Sequence, residues 1–307
     1  NTDYVGESDT DGIDGTDVFP SADVSPADIG FSITVWEKVA SYAYPKLIGH
    51  DLVEAGTDIF PYRVETKADF LAIAENASAV YFLANDIDLG NYTPFTFSGK
   101  LYGNPDEMPT INVNIDKSSS DQIGLFSKVS GKFGIENIRL TGSVAGKYQV
   151  GGFAGCAADT LSGAHIINCV NEANVRAVPA GVFASGRRVG GFIGDSFGQT
   201  NLELRGLVNK ANLSGGVQAI GGISGISSAK IYNCANLGNI SGNNQVGGMA
   251  GWYANGAVIQ SSFNAGNISA SEQVGGLVGT VQYSQPVISS CYNSGNVKLA
   301  EPGAKTI

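Results

Sequence analysis

Charge is scarce in this chain, and histidine is scarcer. Only 15% of the 307 residues are charged, and His, Met and Trp occur twice each. With His50 and His165 as the whole supply of imidazole, a His-activated nucleophile or a histidine metal cluster has too few members, and neither G-x-S-x-G nor H-E-x-x-H occurs. Basic clusters are absent beyond Arg187 and Arg188, and the net charge is −10 with a pI near 4.6. Nucleic acid and anionic membrane surfaces both require grouped Lys and Arg, so neither is expected as a partner. No apolar run reaches the length of a membrane-spanning helix. The chain begins with Asn1 and shows no charged-then-apolar leader, so any secretion signal is expected to lie outside this sequence.

What is abundant is glycine. There are 42 glycines, about double the average usage of ~7%, beside 43% hydrophobic residues and without a three-residue period. That composition supports an ordered core with many tight backbone passages. The glycines fall in a repeat: QVGGFAG (149–155), RVGGFIG (188–194), AIGGISG (219–225), QVGGMAG (245–251) and QVGGLVG (273–279), with a degenerate forerunner QIGLFS at 122–127. A second signature follows each copy: NEANV from Asn171, NKANL from Asn209, NLGNI from Asn236, NAGNI from Asn264 and NSGNV from Asn293.

Aligned copies separate core from surface. Val150, Val189, Ile220, Val246 and Val274 precede the Gly pair; Phe153, Phe192, Ile223, Met249 and Leu277 follow it. Ile166, Leu204, Ile231, Ile259 and Ile288 form a third apolar column, and Val175, Leu213, Ile240, Ile268 and Val297 a fourth, while their neighbours vary freely among polar residues. Apolar positions beside variable polar ones, in segments rich in β-branched residues, are short strands with one buried face. Without helical stretches inside the repeat, each copy reads as one coil of a β-solenoid, with coils about 4.8 Å apart. The pair glycines (Gly151, Gly152, Gly190, Gly191, Gly221, Gly222, Gly247, Gly248, Gly275, Gly276) then supply either positive φ or room for a neighbouring coil. Asn171, Asn209, Asn236, Asn264 and Asn293 are expected to bond to one another as a ladder. Length variation falls after the Gly pair and between the second Asn and the next pair, which places insertions on one or two edges.

Cys169, Cys234 and Cys291 share one column with Leu207 and Ser262. They lie two coils apart, about 9.6 Å on the coil spacing, beyond the ~7 Å Cα limit for a disulfide, so they are expected to be free core fillers. Cys156 stands outside this column. At the N-terminal end of the array, Thr66 to Asn76 reads as a short capping helix with Thr66 as N-cap and Asp69 at the third position. No comparable cap is visible in LAEPGAKTI at the other end, and end-to-end self-association is a further expectation.

V-G-G-[FLIM]-x-G followed by [NS]-C-x-N-x-G-N resembles the GLUG-motif repeat of large bacterial surface proteins. The resemblance runs from residue 51 to about 300, through Asn85 to Leu89 and PFTFSGKLYG (94–103). Gly206 and Leu207 depart from it, as do Gly103, Asn104 and Pro105. Residues 18–50, with Trp36 and the run from Tyr44 to Leu47, resemble the closing part of a preceding array. The organisation expected is therefore 1–50 as that N-terminal segment, 51–117 as capping helix with irregular first coils, and 118–307 as the repeat array. The resemblance implies an all-β chain folded as a right-handed parallel β-helix, export to a bacterial cell surface or beyond, and adhesion or stalk duty instead of catalysis. It carries over no catalytic residues and no cofactor.

Three chemical readings remain to weigh. ESDTDGIDGTD (7–17) looks like a calcium loop, but EF-hand spacing puts Val18 where the bidentate Glu belongs, so a solvated acidic loop is favoured and no metal site is assigned. β-Helical lyases and hydrolases need converging carboxylates; Asp159, Asp195 and Glu203 with His165, Arg187 and Arg205 are the nearest set, though they occupy different repeat slots. Aromatics after the Gly pair, Phe197, Trp252, Tyr253 and Tyr283, form the candidate ligand site, where sugar rings of a host or matrix glycan would stack, a host or matrix protein being the other partner expected; the bland alternative is that Trp252 and Tyr253 cover the core edge. The favoured function is a non-enzymatic surface module, adhesin or stalk, with a polysaccharide-cleaving enzyme and a filament subunit as rivals.

Overall fold

A computed structural model describes residues 56–299, except 59, 159–160, 179–186, 216–217, 255 and 283–286, together with the backbone of Trp36–Glu37 paired antiparallel to Lys46–Leu47. The acidic stretch 7–17, Asp159 and Tyr283 lie outside the described residues. So do the contacts of residues 18–50, apart from that strand pair.

The chain winds into a parallel β-solenoid whose coils share four sheets, called walls here in the order a coil visits them. In the coil that starts at Gln149, wall one is Gln149–Gly151, wall two Ala154–Ala157, wall three His165–Ile167, and wall four Val170–Asn171 with Asn174–Ala177. The apolar columns become ladders. Val150 pairs in register with Val189, then Ile220, Val246 and Val274, while Ile166 leads to Leu204, Ile231, Ile259 and Ile288. These side chains fill the interior, fully buried except in the last coil. Walls three and four extend back to Tyr62–Val64 and Ile87–Gly90, whereas wall one begins only at Gln122–Ile123.

None of the pair glycines adopts a positive φ. Close approach is their role: a Cβ on Gly152, Gly191, Gly222, Gly248 or Gly276 would come within 2.9, 2.8, 2.6, 2.6 and 2.6 Å of the amide groups of Asn171, Asn209, Asn236, Asn264 and Asn293 respectively. The two signatures are thus one packing unit, the second glycine of each pair against asparagine, while a Cβ on the first would meet backbone, as one on Gly151 would meet the Ala154 carbonyl. Each buried Asn uses Nδ2 twice, donating to the carbonyl two residues on and to Oδ1 of the Asn in the next coil, at 2.9, 2.7, 2.6 and 2.6 Å from Asn171 through Asn293. A second ladder lies outside it. Asn174, Asn212, Asn239 and Asn267 each accept from the backbone N–H of the corresponding Asn one coil further, ending at Asn296.

Positive φ belongs to another column, the corner between walls three and four. Asn137, Asn168, Gly206, Asn233, Ser261 and Ser290 all sit there at φ between 51° and 63°. Asn and Gly tolerate this region best, so Gly206 satisfies the corner better than most residues would. Leu207, beside it, fills the cysteine column at zero exposure. Cys156, Cys169, Cys234 and Cys291 are all unbridged. Burial raises the Cys169 and Cys234 thiols to about 12.

Helix α1 (Lys67–Ala72) continues as a 3-10 turn to Asn76. Its capping box is reciprocal: Thr66 Oγ1 accepts from the Asp69 N–H, and Asp69 Oδ2 accepts from the Thr66 N–H at 2.9 Å. Phe70 drops from the helix into the core against Tyr92, Phe95 and Phe126.

Candidate functional site on the outer faces of walls two and three

Successive residues of a strand point to opposite faces, and this separates the aromatic candidates. Trp252 points outward from wall two, in register with Ile226 and Thr280, while its neighbour Tyr253 points into the core at zero exposure. Tyr253 therefore does not line a ligand surface, contrary to the reading from sequence, and desolvation raises its phenol well above the usual range. Phe197 is half exposed, and its ring centroid lies 6.0 Å from that of Trp252. The two meet across the intervening coil because that coil turns from Ser227 to Lys230 almost directly. The indole N–H of Trp252 has no acceptor among the described residues.

Among the described residues, the members of the carboxylate set lie on different walls. Asp195 lies outward on wall two and is 7% exposed; Arg188 forms an ion pair with it, Gln149 Nε2 donates to it at 2.7 Å, and the Phe197 N–H donates at 2.9 Å. Glu203, His165 and Arg205 stand on wall three. Arg187 is fully buried ahead of wall one. With three donors on it, the Asp195 carboxylate ties Arg188, Gln149 and the Phe197 backbone together.

Wall three presents the more developed surface. One outer column runs Lys100, Gly134, His165, Glu203, Lys230, and the next runs Tyr102, Glu136, Ile167, Arg205, Tyr232, Gln260. Gly134 leaves space for the imidazole lying over it, since a Cβ there would meet His165 Nε2 at 2.9 Å. His165 Nε2 bonds Glu136 Oε1 at 2.8 Å and Nδ1 bonds the Gly163 carbonyl at 3.0 Å. The Glu136 bond is the main cause of a raised His165 pKa, and the same bond lowers that of Glu136. Arg205 pairs with Glu203 and lies over the Tyr232 ring at 5.0 Å. Two open polar hollows, of about 430 and 390 Å³, flank this strip and share Glu203 and Lys230. Sequence reasoning named His165, Glu203 and Arg205 only as parts of a catalytic set and missed Glu136, Lys230 and Tyr232, because the strip lacks an invariant column: its members alternate in type from coil to coil, and only the register aligns them.

Residues 270–298 match the family profile described as the GLUG motif. The chain carries the GLUG motif. The same two signatures lie in the coils stacked beneath that match, in the same walls and register. The GLUG-containing chain is also similar to halomucin of Haloquadratum walsbyi, 29% identical over 164 aligned residues that cover 47% of this chain and 2% of halomucin. It thus spans a small fraction of that relative's length. Among solved structures it resembles a candidate immunoglobulin A1 protease from Bacteroides ovatus, with a TM-score of 0.52 at 20% identity over 80% of this chain and 86% of that one. It also resembles an IgA1 protease, with a TM-score of 0.51 at 15% identity over 83% of this chain and 23% of the other. At these identities the likeness is one of fold. Among the described residues, no helix is long and apolar enough to cross a membrane.

Proposed function

We propose that this chain is a non-enzymatic module of a bacterial surface protein, a stiff β-helical rod that serves adhesion or works as a stalk. The observation that carries the reading is the pair of asparagine ladders: each coil's hydrogen-bonding valence is completed by the next, which makes the rod a continuous axial structure. The GLUG motif and the likeness to halomucin support a surface setting. The engagement of Asp195 by Arg188, Gln149 and the Phe197 N–H supports a role without catalysis.

Protease shaving and antibody labelling of intact source cells test the placement. Label on intact cells that shaving removes is expected; label obtained only after lysis overturns it. Incubation with a polysaccharide panel and with IgA1 tests the absence of catalysis. Reducing ends or heavy-chain fragments that disappear in His165→Gln or Asp195→Ala would establish an enzyme instead.

A further inference from the structure

Lys230 stands out on wall three. The other charges of this strip are matched, Glu203 with Arg205, Glu136 with His165 and Lys100 with Asp58. Lys230 makes no ion pair or hydrogen bond through its ammonium among the described residues, and it borders both hollows. Around it the surface offers side-chain amides and hydroxyls, Asn201 and Ser162 on one side, Asn233, Gln260 and Ser261 on the other. Arg205 and Tyr232 form a flat stacked platform beside it.

We propose that this strip of wall three binds a linear polysaccharide that bears carboxylates, with Lys230 holding a carboxylate while the neighbouring amides and hydroxyls hold ring hydroxyls. The inference rests on the reading of the chain as an extracellular module. Three features select this ligand class. The lining of both hollows is mainly polar, with Ala164 and Ile167 the apolar members of one and Val258 next to Lys230 in its column, which suits hydroxyl-rich rings better than the apolar anchor of a peptide. The wall-three strands here pair on both edges, so no free strand edge is available for an added peptide strand. The two hollows draw their linings from successive coils and share Glu203 and Lys230, so together they run across coils spaced about 4.8 Å apart, which favours an extended polymer over a compact ligand. Glu203, the carboxylate that borders both hollows, is already paired with Arg205, which offsets its repulsion of an incoming carboxylate despite the net charge of −10.

Titration of the chain with polygalacturonate, with dextran as neutral polymer and polyglutamate as a polyanion without sugar, tests the assignment. Saturable binding of polygalacturonate alone is expected, weakened about ten-fold in Lys230→Gln and retained in Lys230→Arg. Asn233→Ala should also weaken it, whereas Lys298→Gln, an exposed lysine of wall four in the last described coil, should leave it unchanged. Circular dichroism and thermal midpoints confirm that the variants are folded. Absence of saturable binding overturns the proposal. Equal binding of polyglutamate would show attraction by charge alone, equal binding of dextran would remove the carboxylate assignment, and an equal loss in Lys298→Gln would remove the site. The surface reading is judged separately by the shaving experiment, so the two can fail independently.

Discussion

Asn236 shows what a single rung contributes. It donates to the Gly238 carbonyl and to Asn264, and it accepts from Asn209, all inside a dry core. Asn236→Ala strands those three groups, and at ~1–3 kcal/mol for a buried unsatisfied group the expected loss is about 3 kcal/mol in urea unfolding. Asn293→Ala, at an exposed rung, should cost under about 1 kcal/mol by the same measurement. Glycine substitutions should divide by mechanism. Gly222→Ala drives a methyl to 2.6 Å from Asn236 Cγ and should prevent native folding of its coil, whereas Gly206→Asn, at φ +63° with its nearest neighbours in ordinary contact, should be close to neutral. Thiol chemistry reports the same interior. Cys169 and Cys234 should resist alkylation in the native protein at pH 8 and react fully once unfolded, as their raised pKa and burial require.

Helix α1 covers one end of the core, where strand edges and the rings of Phe97 and Phe126 would otherwise meet water. Thr66→Ala removes one side of the capping box and should cost about 1 kcal/mol, while Phe70→Ala should cost about 3–5 kcal/mol; both are read from denaturant midpoints. On wall three, the His165–Glu136 bond couples stability to pH. The His165 pKa is raised in the folded state, so its contribution is complete below its ordinary value of 6.5 and is lost as pH rises through the folded value. The Glu136 pKa is lowered, so its contribution is complete above 4.5 and is lost as pH falls through the folded value. The bond is therefore strongest between about pH 4.5 and 6.5. Because Glu136 is 37% exposed, the effect should be at most about 1 kcal/mol, seen as a fall in the urea midpoint from pH 5.5 to 8.5 that shrinks in His165→Gln.

At the scale of the whole molecule, stability should behave as a sum over coils and their interfaces. Deleting residues 246–273 joins Gln245 to Val274 and preserves every column, so the shortened chain should fold with unchanged β-type circular dichroism. Deleting 246–259 breaks register and should unfold the C-terminal coils, seen as new protease cleavage there. The architecture was legible in advance because each buried ladder repeats its residue type once per coil, from Val150 to Val274 and from Asn171 to Asn293. The candidate site was far less legible. Trp252 and Tyr253 are adjacent in sequence yet face opposite ways, and Phe197 reaches Trp252 only because the coil between them makes a short turn. Periodic apolar and asparagine columns by themselves determined the coil, its register and its unbridged cysteines, since a core must be filled alike at every level. Only the tertiary structure decided that the second glycine of each pair makes room for an asparagine amide without turning left-handed, that Asp195 is engaged by Arg188, and that Lys230 has no ion-pair partner among the described residues. Those outcomes depend on which side chains from different coils come within hydrogen-bonding reach, a matter of three-dimensional distance that spacing along the chain does not contain.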